Sequence, residues 1–299
     1  MIKGYKKIID ETLIQYFDEI LYNKTHKFAK KTAESMKYTT CLAGKRLRGI
    51  LCIETCRIFS GDYFPALPSA CALEMLHSQS LIHDDLPCMD NDDLRRGKPS
   101  NHKVFGENIA TLAGDALISL GAQIIIEKTP ASTGSENIIK ILKEYNKAAG
   151  IYGIVGGQTA DLEAEKINPD EDCAEELLKY IQKYKTGALF VASCAIGAIA
   201  GGASEEQINT IKKFGYAFGD AFQMADDILD VVSTSDVMGK TTGKDEKEHK
   251  LTYISKYGLD SAKEKLNAQI NHIYDILKKA EIKSSVFDKI INSITNKTV

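Results

Sequence analysis

The chain has 299 residues, 43% of them hydrophobic and 26% charged, so it can bury a full core as one large domain or two small ones. Its formal net charge is −3 and it has no sustained basic stripe, so nothing favours nucleic-acid binding. The seven cysteines are scattered and without zinc-type pairs, which predicts reduced thiols buried as small apolar residues.

Helical periodicity dominates the chain, and alternating strand patterns are scarce. We predict helices at about 4–22, 24–40, 45–60, 68–92, 107–128, 136–166, 171–201, 204–234, 259–280 and 284–296. Ser204 and Gln207 have the spacing of a capping box at the start of one of them. No internal repeat and no low-complexity linker divides the chain. The pattern therefore predicts an all-α fold with a single domain over residues 1–299.

Two segments were candidates for a leader or a membrane span. Near the N-terminus, Asp10 and Glu11 interrupt the apolar run that a signal peptide needs. Residues 186–204 carry no charge, but their four glycines and few large apolar side chains favour a closely packed internal helix. We therefore expect a cytoplasmic protein without a membrane span.

A short basic segment lies at the start of the predicted helix 45–60. It consists of Gly44, Lys45, Arg46 and Arg48. A glycine before a cationic helix start suits the binding of a phosphate group. The alternative is an ordinary solvated basic surface.

The first of two acidic clusters is followed at once by two arginines. The residues are Asp84, Asp85 and Asp90, then Arg95 and Arg96. Asp90 does not share a helical face with Asp84, but Pro87 lies between them and can bend the chain back toward the same cation. His77 lies seven residues before Asp84, on the same helical face. Acidic and arginine side chains so close together suit a phosphate group that is bound by a metal ion on one side and by guanidinium on the other. The alternative interpretation is a solvated acidic loop.

The second acidic cluster is a regular helical stripe. Its members are spaced i, i+3, i+4 and i+7: Gln223, Asp226, Asp227 and Asp230. Their neighbours are apolar and lysine is absent among them, which favours cation binding over a solvated acidic face.

The chemistry of these clusters indicates an enzyme that handles diphosphates. Six carboxylates in two tight groups repel one another unless cations lie between them. Oxygen ligands on helices suit Mg²⁺, which keeps waters and takes further oxygens from a substrate phosphate. Further candidate cations are Lys185, which precedes Thr186, and Lys240 and Lys250.

Taken together, these motifs resemble the trans-isoprenyl diphosphate synthases, in particular the short-chain farnesyl and geranylgeranyl diphosphate synthases of bacteria and plastids. The resemblance covers nearly the whole chain, with the motifs in the family's order. It implies an all-α bundle around a deep central cavity, a homodimer, and several Mg²⁺ ions bound with substrate diphosphate. The substrates it implies are isopentenyl diphosphate and an allylic diphosphate.

The resemblance also implies roles for individual residues. Those for isopentenyl diphosphate are Lys45, Arg48, His77 and Arg96, and Gly44 is a further substrate-binding residue. Those for the allylic diphosphate are Arg95, Lys185, Thr186, Gln223, Lys240 and Lys250. The metal ligands lie in the two aspartate motifs, with Asp84, Asp85 and Asp90 on one wall and Asp226, Asp227 and Asp230 on the other. Of these residues, we expect the catalytic ones to be Asp84, Asp85, Asp90, Arg95, Lys185, Asp226, Asp227 and Lys240.

The expected product is farnesyl diphosphate, with geranylgeranyl diphosphate as the alternative. A growing prenyl chain should extend away from the metals along the helix that carries Asp84, so Leu76, Gln79 and Ser80 are candidates for the cavity floor. Farnesyl synthases of this branch typically have an aromatic residue at the position of Gln79. A terpene cyclase and a non-catalytic partner subunit are other readings, but each is expected to lack one of the two aspartate motifs.

Overall fold

The computed structural model describes residues 1–232 and 251–295. In that part of the chain the α-helices are α1 Ile2–Leu21, α2 Lys30–Thr40, α3 Leu47–Ser60, α4 Leu67–Asp84, α5 Asn101–Phe105, α6 Glu107–Lys128, α7 Ser135–Ala149, α8 Ile154–Ala164, α9 Ala174–Ile181, α10 Gly187–Ala200, α11 Glu205–Val232, α12 Tyr253–Tyr257, α13 Leu259–Lys279 and α14 Ser285–Thr295. Shorter elements are the 3₁₀ helices Lys24–Ala29, Phe64–Ala66 and Ala131–Thr133, the π-helix Gln182–Thr186, and the antiparallel strands β1 Leu94–Arg95 and β2 Lys98–Pro99. The predicted all-α fold is confirmed.

The core is one continuous apolar cluster that runs from Tyr5 in α1 to Ile294 in α14. Helix α10 lies at its centre and packs on α3 and α11. Every residue of α10 except Ala188 is buried, so the uncharged segment is an internal helix as predicted. Peripheral helices bury a single face. Helix α7, for example, buries Ile141, Tyr145 and Ala148, which recur at helical spacing.

Three predicted helices are shorter or interrupted in the structure. The predicted helix 68–92 ends at Asp84, because a turn that contains Pro87 follows it. The predicted helix 136–166 is divided into α7 and α8 at residues 150–153, where Gly150 and Gly153 end the helical pattern. The predicted helix 171–201 contains the π-helix Gln182–Thr186 between α9 and α10. The capping box is confirmed, since the Ser204 N–H donates to Gln207 Oε1 at 2.8 Å and the Gln207 N–H donates to Ser204 Oγ at 3.3 Å.

Among the described residues, one helix, α6, is long and apolar enough to cross a membrane by length and composition. A core helix of a soluble protein passes the same test, so this is weak evidence for a span. All seven cysteines are free thiols, as predicted. Their predicted burial is only partly correct, because Cys88 and Cys173 are exposed.

Candidate active site

A cavity of about 370 Å³ lies between α3, α4, α8 and the π-helix. It brings together residues that are far apart in the sequence. The predicted substrate and metal residues on its wall are Arg48, His77, Asp84, Lys185 and Thr186. Gln79 and Ser80 line it as well, whereas Leu76 is fully buried in the core and does not. We call this space the central cavity.

Asp84 is the last residue of α4, and the chain turns back immediately after it. The Asp90 N–H donates to the Asp84 carbonyl oxygen at 2.9 Å, so the turn returns Asp90 to the end of the helix, as the position of Pro87 predicted. Burial raises the pKa of Asp84 to about 6; Asp90 adds to the rise and Lys185 opposes it. The Asp84 carboxylate is therefore a charged group whose surroundings lack enough positive charge.

Asp85 faces a guanidinium group. Its carboxylate accepts hydrogen bonds from Arg95 Nε at 3.0 and 3.2 Å and also contacts Arg95 Nη2, while Arg95 Nη2 reaches Asp92 at 3.2 Å. Asp85 is only 1% exposed. The short ribbon of β1 and β2 places Arg95 for this pairing. This ion pair joins two residues that the resemblance assigns to metal and to the allylic diphosphate, and those roles stay predictions.

Arg48 and His77 form a polar wall of the central cavity. The Arg48 guanidinium lies 4.7 Å from the centre of the Phe190 ring, and its Nε has no hydrogen-bond partner among the described residues. Burial lowers the pKa of Arg48 to about 10, which leaves it charged at neutral pH. Burial and then the nearby Arg48 and Arg96 guanidinium groups hold the pKa of His77 well below its ordinary value. His77 is therefore a neutral imidazole that contributes hydrogen bonds rather than charge.

The basic segment contains one residue that is buried in an ion pair and one that is exposed to solvent. Arg46, immediately before α3, is buried and pairs with Asp10 at 2.7 Å, with Glu74 3.7 Å away. Lys45 is exposed. Gly44 packs against Arg96, since a Cβ at Gly44 would lie 2.7 Å from Arg96 Nη1. The structure thus brings Gly44 into contact with Arg96, the residue that the resemblance assigns to isopentenyl diphosphate.

A chain of hydrogen bonds connects the π-helix to the second aspartate motif. The Thr186 hydroxyl donates to Gln223 Oε1 at 2.7 Å, and Gln223 Nε2 donates to Asp227 Oδ1 at 2.8 Å. The other Asp227 oxygen accepts the Tyr253 N–H at 2.9 Å. Lys185, beside Thr186, forms an ion pair with Asp161 of α8. Asp227, which is 4% exposed, therefore orients Gln223 and Thr186, and its predicted metal role is not tested.

The remaining aspartates of the second motif differ in exposure. Asp226 is half-buried, whereas Asp230 is 4% exposed and its Oδ2 has no hydrogen-bond partner among the described residues. No group of three His, Cys, Asp or Glu side chains in the described part of the chain converges as a preformed metal cage. Carboxylate oxygens are ligands of the type that Mg²⁺ takes, with water and substrate oxygens completing its shell. Asp84, Asp90 and Asp226 are the residues that would hold it.

Sequence reasoning missed most of the wall that α8 supplies. Ile154, Val155 and Leu162 give it apolar surface, and Gln158 has a buried amide nitrogen without a partner among the described residues. The glycines just before Gln158 were the available signal, because Gly157 lets α8 approach the π-helix closely. Lys240 and Lys250 lie outside the described residues.

Comparisons with known proteins agree on a family. A family model described as polyprenyl synthetase matches residues 29–294, so the chain belongs to the polyprenyl synthetase family. A geranylgeranyl pyrophosphate synthase from Catharanthus roseus is 48% identical over 242 residues, which are 80% of this chain and 67% of that protein. The large subunit of a heterodimeric geranylgeranyl pyrophosphate synthase from Arabidopsis thaliana is 46% identical over 80% of this chain and 65% of its own length. The chain thus spans about two thirds of these curated relatives.

Solved structures resemble the chain over almost its full length. An FPP/GFPP synthase from Zymomonas mobilis is 34% identical, with a TM-score of 0.76 over 93% of this chain and 94% of that one. A geranyltransferase from Legionella pneumophila has a TM-score of 0.81 and 28% identity over 99% of both chains. The all-α architecture is therefore that of short-chain prenyl synthases.

Proposed function

We propose that this chain is a Mg²⁺-dependent prenyltransferase that joins isopentenyl diphosphate to an allylic diphosphate. The observation that carries the proposal is the central cavity, where Asp84, Lys185 and Thr186 meet Arg48 and His77 beside an apolar wall. One end therefore suits a metal-bound diphosphate and the other a second anionic substrate. Family membership supports the same reaction class.

The reaction needs no side-chain nucleophile. The allylic carbon–oxygen bond breaks and diphosphate leaves with its electrons; the double bond of isopentenyl diphosphate then forms the new carbon–carbon bond, and a proton passes to a diphosphate oxygen. Bound Mg²⁺ would neutralise charge on the departing diphosphate. Lys185 adds a positive charge at that end, and Arg48 holds the second diphosphate. The apolar side chains of α8 keep water from the developing cation.

For the product we favour geranylgeranyl diphosphate, and farnesyl diphosphate, the expectation from the sequence, remains the alternative. Two observations support the longer product. No Phe, Tyr or Trp side chain lines the central cavity in the described part of the chain. The curated relatives at 46–48% identity are geranylgeranyl synthases, whereas the FPP/GFPP synthase from Zymomonas mobilis is 34% identical.

We further propose a homodimer that forms through α6. Leu112 and Ile126 on this helix are 54% and 57% exposed and lie on one side of it, with Ala116 and Ser119 between them. Such an apolar stripe on a long helix is typical of a contact between subunits. The Arabidopsis relative named as a heterodimeric large subunit makes a second, different subunit the alternative partner.

The direct test combines the purified chain with Mg²⁺, labelled isopentenyl diphosphate and each of dimethylallyl, geranyl and farnesyl diphosphate. We expect chain elongation that stops at twenty carbons, measured by chromatography of the dephosphorylated products. Asp84→Ala and Asp226→Ala should each reduce turnover by on the order of 100-fold or more while the circular dichroism stays helical. Products that stop at fifteen carbons would favour the farnesyl alternative, and no condensation with any allylic substrate would overturn the proposed reaction.

A further inference from the structure

A buried carboxylate lies beside the basic segment, and the reaction described above does not use it. Glu74 is on α4, one helical turn before His77, and is 2% exposed. It does not line the central cavity. A carboxylate removed from water is tolerated only where hydrogen bonds and positive charge compensate for its lost solvation. The partners of Glu74 therefore indicate what it does.

One oxygen of Glu74 binds the backbone at the start of α3. The Gly49 N–H donates to Glu74 Oε1 at 2.9 Å. This N–H belongs to the first turn of α3, where backbone donors have no acceptor within the helix. The residue before α3 is Arg46, whose side chain makes no capping hydrogen bond. The Glu74 carboxylate thus supplies from α4 the acceptor that a helix usually receives from its own N-cap residue.

The backbone just before this turn has a conformation that its surroundings must hold. Arg46 has φ 53° and ψ 35°, in the left-handed region that residues with a side chain adopt rarely. Its side chain is fixed by Asp10 at 2.7 Å and by the Leu42 carbonyl oxygen at 3.1 Å. This turn and the Glu74 hydrogen bond together set the direction of the first residues of α3. One of them is Arg48, which lines the central cavity.

The charge of Glu74 acts on three guanidinium groups. Glu74 Oε2 lies 3.7 Å from Arg46 Nη1, which makes no hydrogen bond in the described part of the chain. Burial and then Arg46 lower the pKa of Arg96, and Glu74 opposes this change. Burial also lowers the pKa of Arg48, and Glu74 again opposes the change. One carboxylate therefore stabilises three neighbouring cations without neutralising all of their charge.

We propose that Glu74 is a positioning residue for isopentenyl diphosphate: its hydrogen bond to the Gly49 N–H holds the first turn of α3 so that Arg48 faces the second diphosphate. Glu74 does not touch the substrate and acts through Arg48. The identity of this substrate rests on the proposed function, whereas the contact between α3 and α4 does not.

Binding of isopentenyl diphosphate without an allylic substrate tests this role without any turnover. Glu74→Gln keeps an acceptor for the Gly49 N–H and removes a negative charge near the anion, so isothermal titration calorimetry should give a Kd equal to the parent's or lower. Glu74→Met keeps the side-chain volume but removes the acceptor, and should raise the Kd by on the order of tenfold or more. The Kd of geranyl diphosphate with Mg²⁺ should change in neither variant. A Glu74→Gln protein that binds isopentenyl diphosphate as weakly as Glu74→Met would overturn the positioning role.

A second buried carboxylate on α3 provides the matched control. Glu54 is fully buried and accepts hydrogen bonds from Tyr5 at 2.9 Å and from Arg57 at 2.7 Å, but it does not line the central cavity. Glu54→Met should lower the melting temperature and leave the Kd of isopentenyl diphosphate unchanged. If it weakens binding as much as Glu74→Met does, the loss comes from general instability and the positioning role is refuted.

A double-mutant cycle tests whether Glu74 acts through Arg48. Arg48→Met removes the guanidinium, so adding Glu74→Met in that background should weaken the binding of isopentenyl diphosphate no further. Losses that simply add would show that Glu74 acts by another route, and would contradict the proposal.

Hydrogen exchange on the parent needs no variant and so does not depend on whether Glu74→Met folds. The Gly49 amide should exchange much more slowly than the Asn137 amide, which has the same place in the first turn of α7. Equally fast exchange would show that Glu74 does not hold α3. A parent that does not bind isopentenyl diphosphate would contradict the proposed function, whereas a parent whose Kd is unchanged by Glu74→Met would contradict only the role of Glu74.

Discussion

At the scale of single residues, Asp84 carries a charge that burial disfavours. It ends α4 at the wall of the central cavity, and burial raises its pKa to about 6. Because the pKa in the folded chain is above that of a free aspartate, the folded state binds this proton more tightly than the unfolded state does. The protonated Asp84 carboxyl therefore contributes stability at low pH. This contribution is lost as the pH rises through about 6.

This linkage predicts the behaviour of Asp84→Asn without metal. Asparagine is neutral at every pH, so the variant should be more stable than the parent at about pH 8, by on the order of 1–2 kcal/mol, and similar to it at about pH 3, below the pKa of aspartate in the unfolded chain. Urea denaturation with a chelator at both pH values measures the difference. A variant that is less stable than the parent by the same amount at both pH values would show that the charge of Asp84 is not disfavoured.

Gln79 is the residue on which product length is predicted to depend. It lines the central cavity, and its Nε2 lies 3.1 Å from His83 Nδ1, so a tyrosine there would replace a small amide by a ring. Gln79→Tyr should shorten the main product by one five-carbon unit while condensation continues, as measured by chromatography. Leu76→Met is the matched control, because Leu76 is buried in the core away from the cavity. A product of unchanged length from active Gln79→Tyr would place the floor elsewhere.

At the scale of elements, the π-helix Gln182–Thr186 connects most of the site. Its end carries Lys185 and Thr186, and its backbone packs against Gly157 of α8. A Cβ at Gly157 would lie 2.1 Å from the Lys185 backbone nitrogen. Single π-turns inside helices often occur at functional sites, because the extra residue redirects side chains. The close contact of two helices thus positions a cationic residue of the site.

Gly157→Ala should therefore separate α8 from the π-helix. We expect a loss of about 1–3 kcal/mol in the free energy of unfolding and a higher KM for the allylic diphosphate, because Lys185 moves. Denaturant unfolding and steady-state kinetics measure the two effects. The control is Gly4→Ala in α1, where a Cβ meets no atom within 4 Å, so the fold should be unaffected or slightly stabilised. Equal stability of both variants would show that the contact tolerates a methyl group.

At the scale of the whole molecule, α6 determines the proposed assembly. Leu112→Arg places a charge in the middle of its exposed apolar stripe and should convert the dimer to a monomer at micromolar concentration, measured by light scattering after gel filtration. Phe64→Arg is the control, since Phe64 is 58% exposed but lies outside α6. A parent that is already monomeric, or a Leu112→Arg dimer, would contradict the assignment of this face.

Ligand binding should also change the stability of the whole chain. Mg²⁺ together with a bisphosphonate should raise the melting temperature by several degrees, and either one alone should do much less, because Mg²⁺ needs phosphate oxygens to complete its shell. Thermal unfolding with each addition measures the effect. A full increase with Mg²⁺ alone would indicate a metal cage made only of protein ligands.

The sequence alone determined the fold class and the chemistry of the site. Helical periodicity and apolar spacing are local properties, so the all-α fold and the internal helix α10 could be predicted from them. The stripe from Gln223 to Asp230 was also predictable, because its members lie on one helix. Helix ends were less certain: the predicted helix 68–92 ends at Asp84, where a turn closed by its own backbone hydrogen bonds begins.

Only the tertiary structure decided which charged residues face the central cavity and which form ion pairs with other side chains. Arg46 and Arg48 are two residues apart, yet one pairs with Asp10 and the other lines the central cavity. Asp84 and Asp85 are adjacent, yet only Asp85 is bound by Arg95. Neighbours along a helix point in different directions and meet partners from distant segments, so packing decides between them.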